Sequence, residues 1–160
     1  METNKIISKA LPQENIYNVD MQLCFALYSA SLSMTKAYKP LLAKLKLTYP
    51  QYLVLFVLWE KDGLTVNTLS ERLFSDSGTV TPLLKRLEKQ GFIQRQRSLE
   101  DERKVIVTLT AAGKNLRQEA ASVPIQIACN TGCSLEELRA LNQRLISLRT
   151  TLISNTKQTN

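Results

Sequence analysis

The stretch LTVNTLSERLFSDSGTVTPLLKRLEKQGFI, residues 64 to 93, decides the fold. Thr65 is placed to cap a short helix running through about Phe74, with Leu69 and Leu73 on its buried side. SDSG, residues 75–78, is turn chemistry with a ready cap for the next helix. That second helix is expected from about Ser77 to Gln90, closed by Gly91. Its Val80, Leu83, Leu84 and Leu87 fall at i, i+3, i+4 and i+7, which is one buried face. Its outer surface carries Ser77, Thr79, Thr81, Lys85, Arg86 and Lys89. Two short helices joined by a tight turn, the second bearing hydroxyls and cations outward, form a helix-turn-helix pattern. The plainer reading is an ordinary helical hairpin.

Downstream the period changes. In FIQRQRSLEDERKVIVTLT, residues 92–110, Val105, Val107 and Leu109 alternate with Ile106 and Thr108, which predicts a strand. Residues 92–97 make its partner and SLEDER the polar connection. A hairpin directly after a helix-turn-helix is a wing. Arg95, Arg97, Arg103 and Lys104 are then placed for phosphate or minor-groove contact, against the plainer reading of a solvated charged loop. Thr110 is positioned to cap a last helical region, interrupted at Pro124 and at Thr131–Gly132. Ser134 and Glu137 have capping-box spacing. Leu135, Leu138, Leu141, Leu145, Leu148 and Leu152 then recur at intervals of three and four. That stripe needs a partner surface, within the chain or, as expected here, on a second copy.

Upstream, TYPQYLVLFVLWEKDG, residues 48–63, is apolar nearly all round and predicts the most buried helix, with Pro50 in its first turn and Gly63 as its stop. From about Asn18 to Leu47 a longer helical pattern repeats Leu23, Leu27, Leu41, Leu42 and Leu45, and Pro40 should kink or divide it. Residues 1–17 read as a flexible arm. The expected class is mainly α with a small β-wing. Residues 18–160 form one domain: a winged helix-turn-helix over about 50–110, flanked by dimerisation helices over about 18–47 and 111–156.

Composition narrows the function. A net charge of +7 favours a polyanionic partner, most often nucleic acid. There is no apolar run long enough to span a membrane and no signal-peptide pattern at METNKIISKALPQEN, so a cytoplasmic protein with no membrane partner is expected. Histidine is absent, which removes the commonest general base and every Ser-His or Cys-His nucleophile. No P-loop, GxGxxG or paired-carboxylate pattern appears, so neither an enzyme nor a cofactor is expected. Three cysteines remain. Cys24 lies in the apolar helix VDMQLCFALYSASLSM, as an inert small residue or a reactive thiol. Cys129 and Cys133 lie in ACNTGC. A structural zinc site wants four Cys or His ligands, and this chain offers three cysteines and no histidine, so no metal is expected.

The wing segment DERKVIVTLT, with Asp101, Arg103, Leu109 and Thr110, resembles the D-x-R and L-T pattern of the MarR family of winged helix-turn-helix regulators. QLCFALYSASLSMTKAYKPLLAKLKLTYPQYLVLFVLWE, LFSDSGTVTPLLKRLEKQGFI and RSLEDER more closely resemble that family's organic hydroperoxide resistance regulators, homodimeric peroxide-sensing repressors. The resemblance implies roles residue by residue. Cys24 matches the peroxidatic cysteine, and Tyr38 and Tyr49 match two tyrosines that hydrogen-bond its sulfur in the reduced form. Cys129 matches the resolving thiol of the two-cysteine branch, with Cys133 as a backup or bystander. Asp76, Ser77, Gly78, Thr79, Thr81, Pro82, Lys85 and Arg86 match the DNA-recognition helix and its turn. Arg103 matches the wing-tip arginine of the minor groove, and Arg95 and Asp101 complete the expected DNA-binding set.

Geometry adds a condition. Cys24 and Tyr38 are 14 residues apart, about 21 Å along one continuous helix. A phenol reaches only about 6.5 Å from its Cα. If the two meet, they meet across a dimer or through a helix that folds back. The expected mechanism has the reduced homodimer on a pseudo-palindromic operator in double-stranded DNA, with an organic hydroperoxide as inducer. Oxidation of Cys24 and an intersubunit disulfide with Cys129 release the operator. Two rivals stand beside it: a MarR-type repressor sensing a phenolic or aromatic ligand in the dimer cleft, and a thiol peroxidase.

Overall fold

The computed structural model describes residues 17–158. The expected arm therefore lies, except for Tyr17, outside the described residues. After a 3-10 turn at Val19–Met21, the chain forms α1 (Leu23–Ala43), α2 (Tyr49–Glu60), β1 (Leu64–Thr65), α3 (Val66–Arg72) and α4 (Ser77–Lys89). It continues through β2 (Ile93–Arg97), β3 (Val105–Leu109), α5 (Ala111–Glu119), α6 (Val123–Asn130) and α7 (Leu135–Gln158). This is a winged helix-turn-helix with long helices before and after it.

Pro40 does not divide α1. The helix runs through it to Ala43, because a proline in the last turn forfeits only the one bond its N–H would have made to the carbonyl four residues back. Asn18 caps the 3-10 turn through the Asp20 N–H at 3.1 Å rather than starting α1 itself. Thr48 opens α2, its N–H donating to Gln51 Oε1 at 2.9 Å, with Pro50 in the first turn. Gln51, Tyr52, Val54, Leu55, Val57 and Leu58 of α2 are buried, while Phe56 stays exposed, so the helix is central without being covered all round. Leu55, Leu58, Leu69, Leu84 and Leu87 are fully buried, each contributing about 1.5–3 kcal/mol. Leu73 and Leu83 are only partly covered.

The sheet has three strands in the order β1-β3-β2, all antiparallel, with Leu64 opposite Val107 and Ile93 opposite Leu109. The two-residue β1 is not legible in the sequence, since a strand that short has no period to read. The Leu109-Thr110 pair locks the wing onto what surrounds it. The Leu109 N–H donates to Asp62 Oδ1 at 2.8 Å. Thr110 Oγ1 accepts from the Gly113 N–H at 3.1 Å and donates to the Gly91 carbonyl at 2.6 Å. Trp59 Nε1 donates to the Gly113 carbonyl at 2.8 Å. The backbone of α5 comes so close to the wing that a Cβ on Gly113 would lie 2.0 Å from the Phe92 carbonyl oxygen.

The last helical region breaks at Ala120–Ser122, not at Pro124, which sits in the first turn of α6 where its missing N–H costs nothing. Ser134 and Glu137 do form the expected reciprocal cap, at 2.7 and 3.2 Å. The leucine stripe of α7 finds little cover among the described residues: Leu135, Leu141, Leu145 and Leu152 are exposed, and Leu138 and Leu148 are half-buried. On α1, Leu23, Phe25, Leu27, Leu32 and Met34 are exposed as well. No described helix is long and apolar enough to cross a membrane.

The Gly113 contact yields the first test. Gly113→Ala forces the wing and α5 apart and should destabilise the fold by about 1–3 kcal/mol, measured by urea unfolding at one fixed protein concentration.

Candidate nucleic-acid interface and thiol site

The candidate nucleic-acid interface begins at Asp76. Its carboxylate accepts the Thr79 N–H at 2.7 Å and the Thr79 hydroxyl at 3.0 Å, capping α4. These bonds, the backbone one first, hold the Asp76 carboxyl below its usual range. Ser77, Gly78, Thr79, Pro82, Lys85 and Arg86 are exposed and Thr81 is half-buried, its hydroxyl donating to the Ser77 carbonyl at 2.6 Å. Pro82 sits within the helix and has no N–H to offer. Thus α4 presents the polar face that its sequence pattern describes, with its cations toward the C-terminal half.

The wing sorts its charges into two kinds. Asp101 accepts the Arg103 N–H at 3.1 Å and pairs with Lys104 Nζ at 3.4 Å. That carboxylate braces the wing turn, which is a way for the acidic member of the expected DNA-binding set to act by holding Arg103 and Lys104 in place. Arg95 is also committed: its Nε donates to Glu88 Oε2 at 3.0 Å and its N–H to Glu88 Oε1 at 3.1 Å. The same pair holds Glu88 low, chiefly through the Arg95 side-chain hydrogen bond. Arg95 thus ties β2 to α4. Arg103 is exposed and has no ion pair among the described residues. With Lys104, Asn67 and Thr81 it lines a cleft between the wing and the two short helices. Asn67 shares that cleft with them although no sequence pattern singles it out.

The thiol site is split. Cys24 is the second residue of α1, in the first turn, where the helix field favours anionic groups. The sequence pattern starts the helix earlier and so places Cys24 beyond that field. The thiol is exposed, as are those of Cys129, at the end of α6, and Cys133; all three are free. Among the described residues no hydrogen bond reaches the Cys24 sulfur. Cys133 Sγ lies 3.7 Å from the Thr131 carbonyl. At the far end of α1, Tyr38 packs on Tyr49 with ring centroids 4.6 Å apart and on Tyr52 at 5.8 Å. Burial raises the pKa of Tyr38, with Tyr49 adding to it, and burial raises that of Tyr49. Burial, then Tyr38 and Tyr49, push Tyr52 up to about 12. All three phenols hold their protons at neutral pH and can serve as donors. Tyr52 is absent from the expected set, although its spacing of three from Tyr49 is an available signal. Since α1 is continuous from Leu23 to Ala43, the fold-back condition fails and Tyr38 cannot meet the Cys24 of its own chain.

A second groove combines Tyr52, Phe56 and Trp59 of α2 with Arg117 and Pro124. No cluster of metal-ligating side chains occurs among the described residues.

A family model described as transcriptional regulator SarA/Rot matches residues 36–120. The chain is 51% identical over 134 residues to the organic hydroperoxide resistance transcriptional regulator of Bacillus subtilis (strain 168), covering 84% of this chain and 91% of that one. Among solved structures it is similar to reduced AbfR bound to DNA, at 37% identity and a TM-score of 0.69, over 88% of this chain and 98% of that one. It is also similar to disulfide-formed AbfR, at 36% identity and a TM-score of 0.59, over 89% and 99%.

The Asp76 cap gives a pH-dependent test. Its depressed carboxyl stabilises the fold above the unfolded value near 3.8, and that stabilisation is lost as pH falls through the lower folded value. Asp76→Ala should therefore be less stable than wild type at pH 7, with the gap closing in strong acid. Asp76→Asn, which can cap without a charge, should show no such closing when thermal unfolding is followed across pH.

Proposed function

The chain belongs to the organic hydroperoxide resistance regulators of the MarR family, transcription regulators rather than enzymes, and from that premise we propose that it is a homodimeric repressor switched by oxidation of Cys24. The observation that carries this reading is the split site: an exposed thiol in the first turn of α1, with the phenol donors held at that helix's other end. A second chain packed antiparallel along the bare apolar faces of α1 and α7 brings the partner's tyrosines to each Cys24 and covers those faces. In this reading two α4 helices enter successive major grooves about 34 Å apart, and Arg103 of each wing reaches the minor groove.

The switch runs in balanced steps. The Cys24 thiolate attacks the distal oxygen of an organic hydroperoxide, which leaves as the alcohol, and the sulfur becomes a sulfenic acid. The partner's Cys129 thiol attacks that sulfur, expelling water and forming a disulfide. The bond requires Cα atoms within about 7 Å, so the chains shift and the two α4 helices lose their operator spacing. Small thiols restore the reduced pair by exchange. Leu23, Phe25 and Leu27 around the thiol suit a lipophilic hydroperoxide better than hydrogen peroxide. The lower likeness to disulfide-formed than to reduced, DNA-bound AbfR supports a change in the shape of the single chain on oxidation. The domain plan carries over: a winged helix-turn-helix between two dimerisation segments.

The aromatic groove of Tyr52, Phe56 and Trp59 with Arg117 favours a second reading, induction by an aromatic ligand. One experiment separates the two. A duplex selected by the reduced protein from a random-sequence pool is titrated by fluorescence anisotropy before and after one equivalent of cumene hydroperoxide. Wild type should lose at least about tenfold in affinity and Cys24→Ser should lose none. Equal release of Cys24→Ser would remove the thiol from the mechanism and favour the ligand reading.

A further inference from the structure

Phe74 closes the turn of the helix-turn-helix in an unusual state. Its φ is +51°, in the left-handed region, as the residue just past the end of α3, where the Ser75 N–H closes the turn on the Ser70 carbonyl at 3.0 Å; a bulky side chain is uncommon at such a position. It is 61% exposed within its own domain, two residues before the Asp76 cap. Over its ring lies a side chain from the far end of the sequence: the Arg149 guanidinium of α7, 4.0 Å from the ring centroid. Arg149 makes no ion pair among the described residues, and it stands at the edge of the leucine stripe. At its other end α7 starts at Leu135, two residues after Cys133 and just past the ACNTGC segment. The fourteen residues from Leu135 to Arg149 span about 21 Å of unbroken helix.

We infer that α7 is a rigid lever between the thiol segment and the DNA-reading end, with Phe74–Arg149 as its contact on the turn before α4. The inference rests on the proposed redox switch. In the reduced protein the guanidinium over the ring holds α7 against the turn before α4, and so holds the braced DNA-reading body in place beside α7. When Cys129 is drawn into a disulfide, the start of α7 moves with it, Arg149 leaves the ring, and that body is freed to move as a whole. Phe74 and Arg149 are thus positioning residues, touching neither oxidant nor thiol.

The test is a double-mutant cycle on full-length protein, read as affinity for the selected duplex in both redox states, with disulfide formation followed on non-reducing gels. Arg149→Ala and Phe74→Leu should each weaken reduced-state binding by about five- to thirtyfold for two contacts per dimer. The double variant should lose no more than the worse single one, and Arg149→Lys should recover part of the loss. Disulfide formation should proceed at the wild-type rate, so the ratio of reduced to oxidised affinity shrinks by the same factor. Losses that multiply in the double variant would overturn the inference, since Arg149 would then be acting on DNA by itself. A single variant binding as wild type, or a slowed disulfide, would overturn it as well. Failure of the underlying redox reading looks different: wild-type affinity would not change on oxidation, whereas the reduced-state cycle would still report whether the two residues are coupled.

Discussion

The 1.5 Å rise of an unbroken helix is the constraint on which the molecule turns. Because α1 runs from Leu23 to Ala43 without a break, it holds Cys24 at one end and Tyr38, stacked on Tyr49, at the other. A single chain cannot close that site. The exposed apolar faces of α1 and α7 express the same fact in surface energy, since each leaves side chains in water that a core would bury. In the proposed dimer one association step covers those faces and completes the sensor. Sensing and assembly then share their residues, and a change at the thiol is necessarily a change between subunits.

How such a change reaches DNA depends on which joints are stiff. The wing, α4 and α5 are bound into one body: Arg95 ties β2 to α4 through Glu88, Thr110 ties β3 to α5, and Trp59 ties α2 to the backbone of Gly113. A body braced in this way moves as a whole. In the proposed dimer the spacing between two such bodies is what an operator with two half-sites would read, so a shift at the interface would be the means of releasing it. Cys129 lies in the last turn of α6, whose Val123 and Ile127 are buried, and a left-handed turn at Gly132 separates it from α7.

The fold is legible in the sequence wherever a period or a cap is strong. Val80, Leu84 and Leu87 mark the buried face of α4, Thr65 and Thr110 mark caps, and the alternation around Val107 marks the wing. The features that escape are those no local pattern encodes. β1 is two residues long and exists only because β3 is there to pair with it. Pro40 suggests a break, yet a proline in a last turn is nearly harmless. In the candidate sites, residue types are readable but commitments are not: Arg95 and Asp101 carry charges typical of a DNA surface and its supports, and tertiary partners have already engaged them. The contact on Phe74 has no local signal, because the arginine above it comes from the far end of the chain.

In the proposed switch the oxidised bond joins two chains. Non-reducing gel electrophoresis of the purified protein, before and after one equivalent of an organic hydroperoxide, tests it most directly. The account predicts a dimer-sized band that dithiothreitol reverses and that is absent from Cys24→Ser and from Cys129→Ser. Oxidised wild type that stays monomer-sized, or a dimer-sized band that persists in Cys24→Ser, would contradict it.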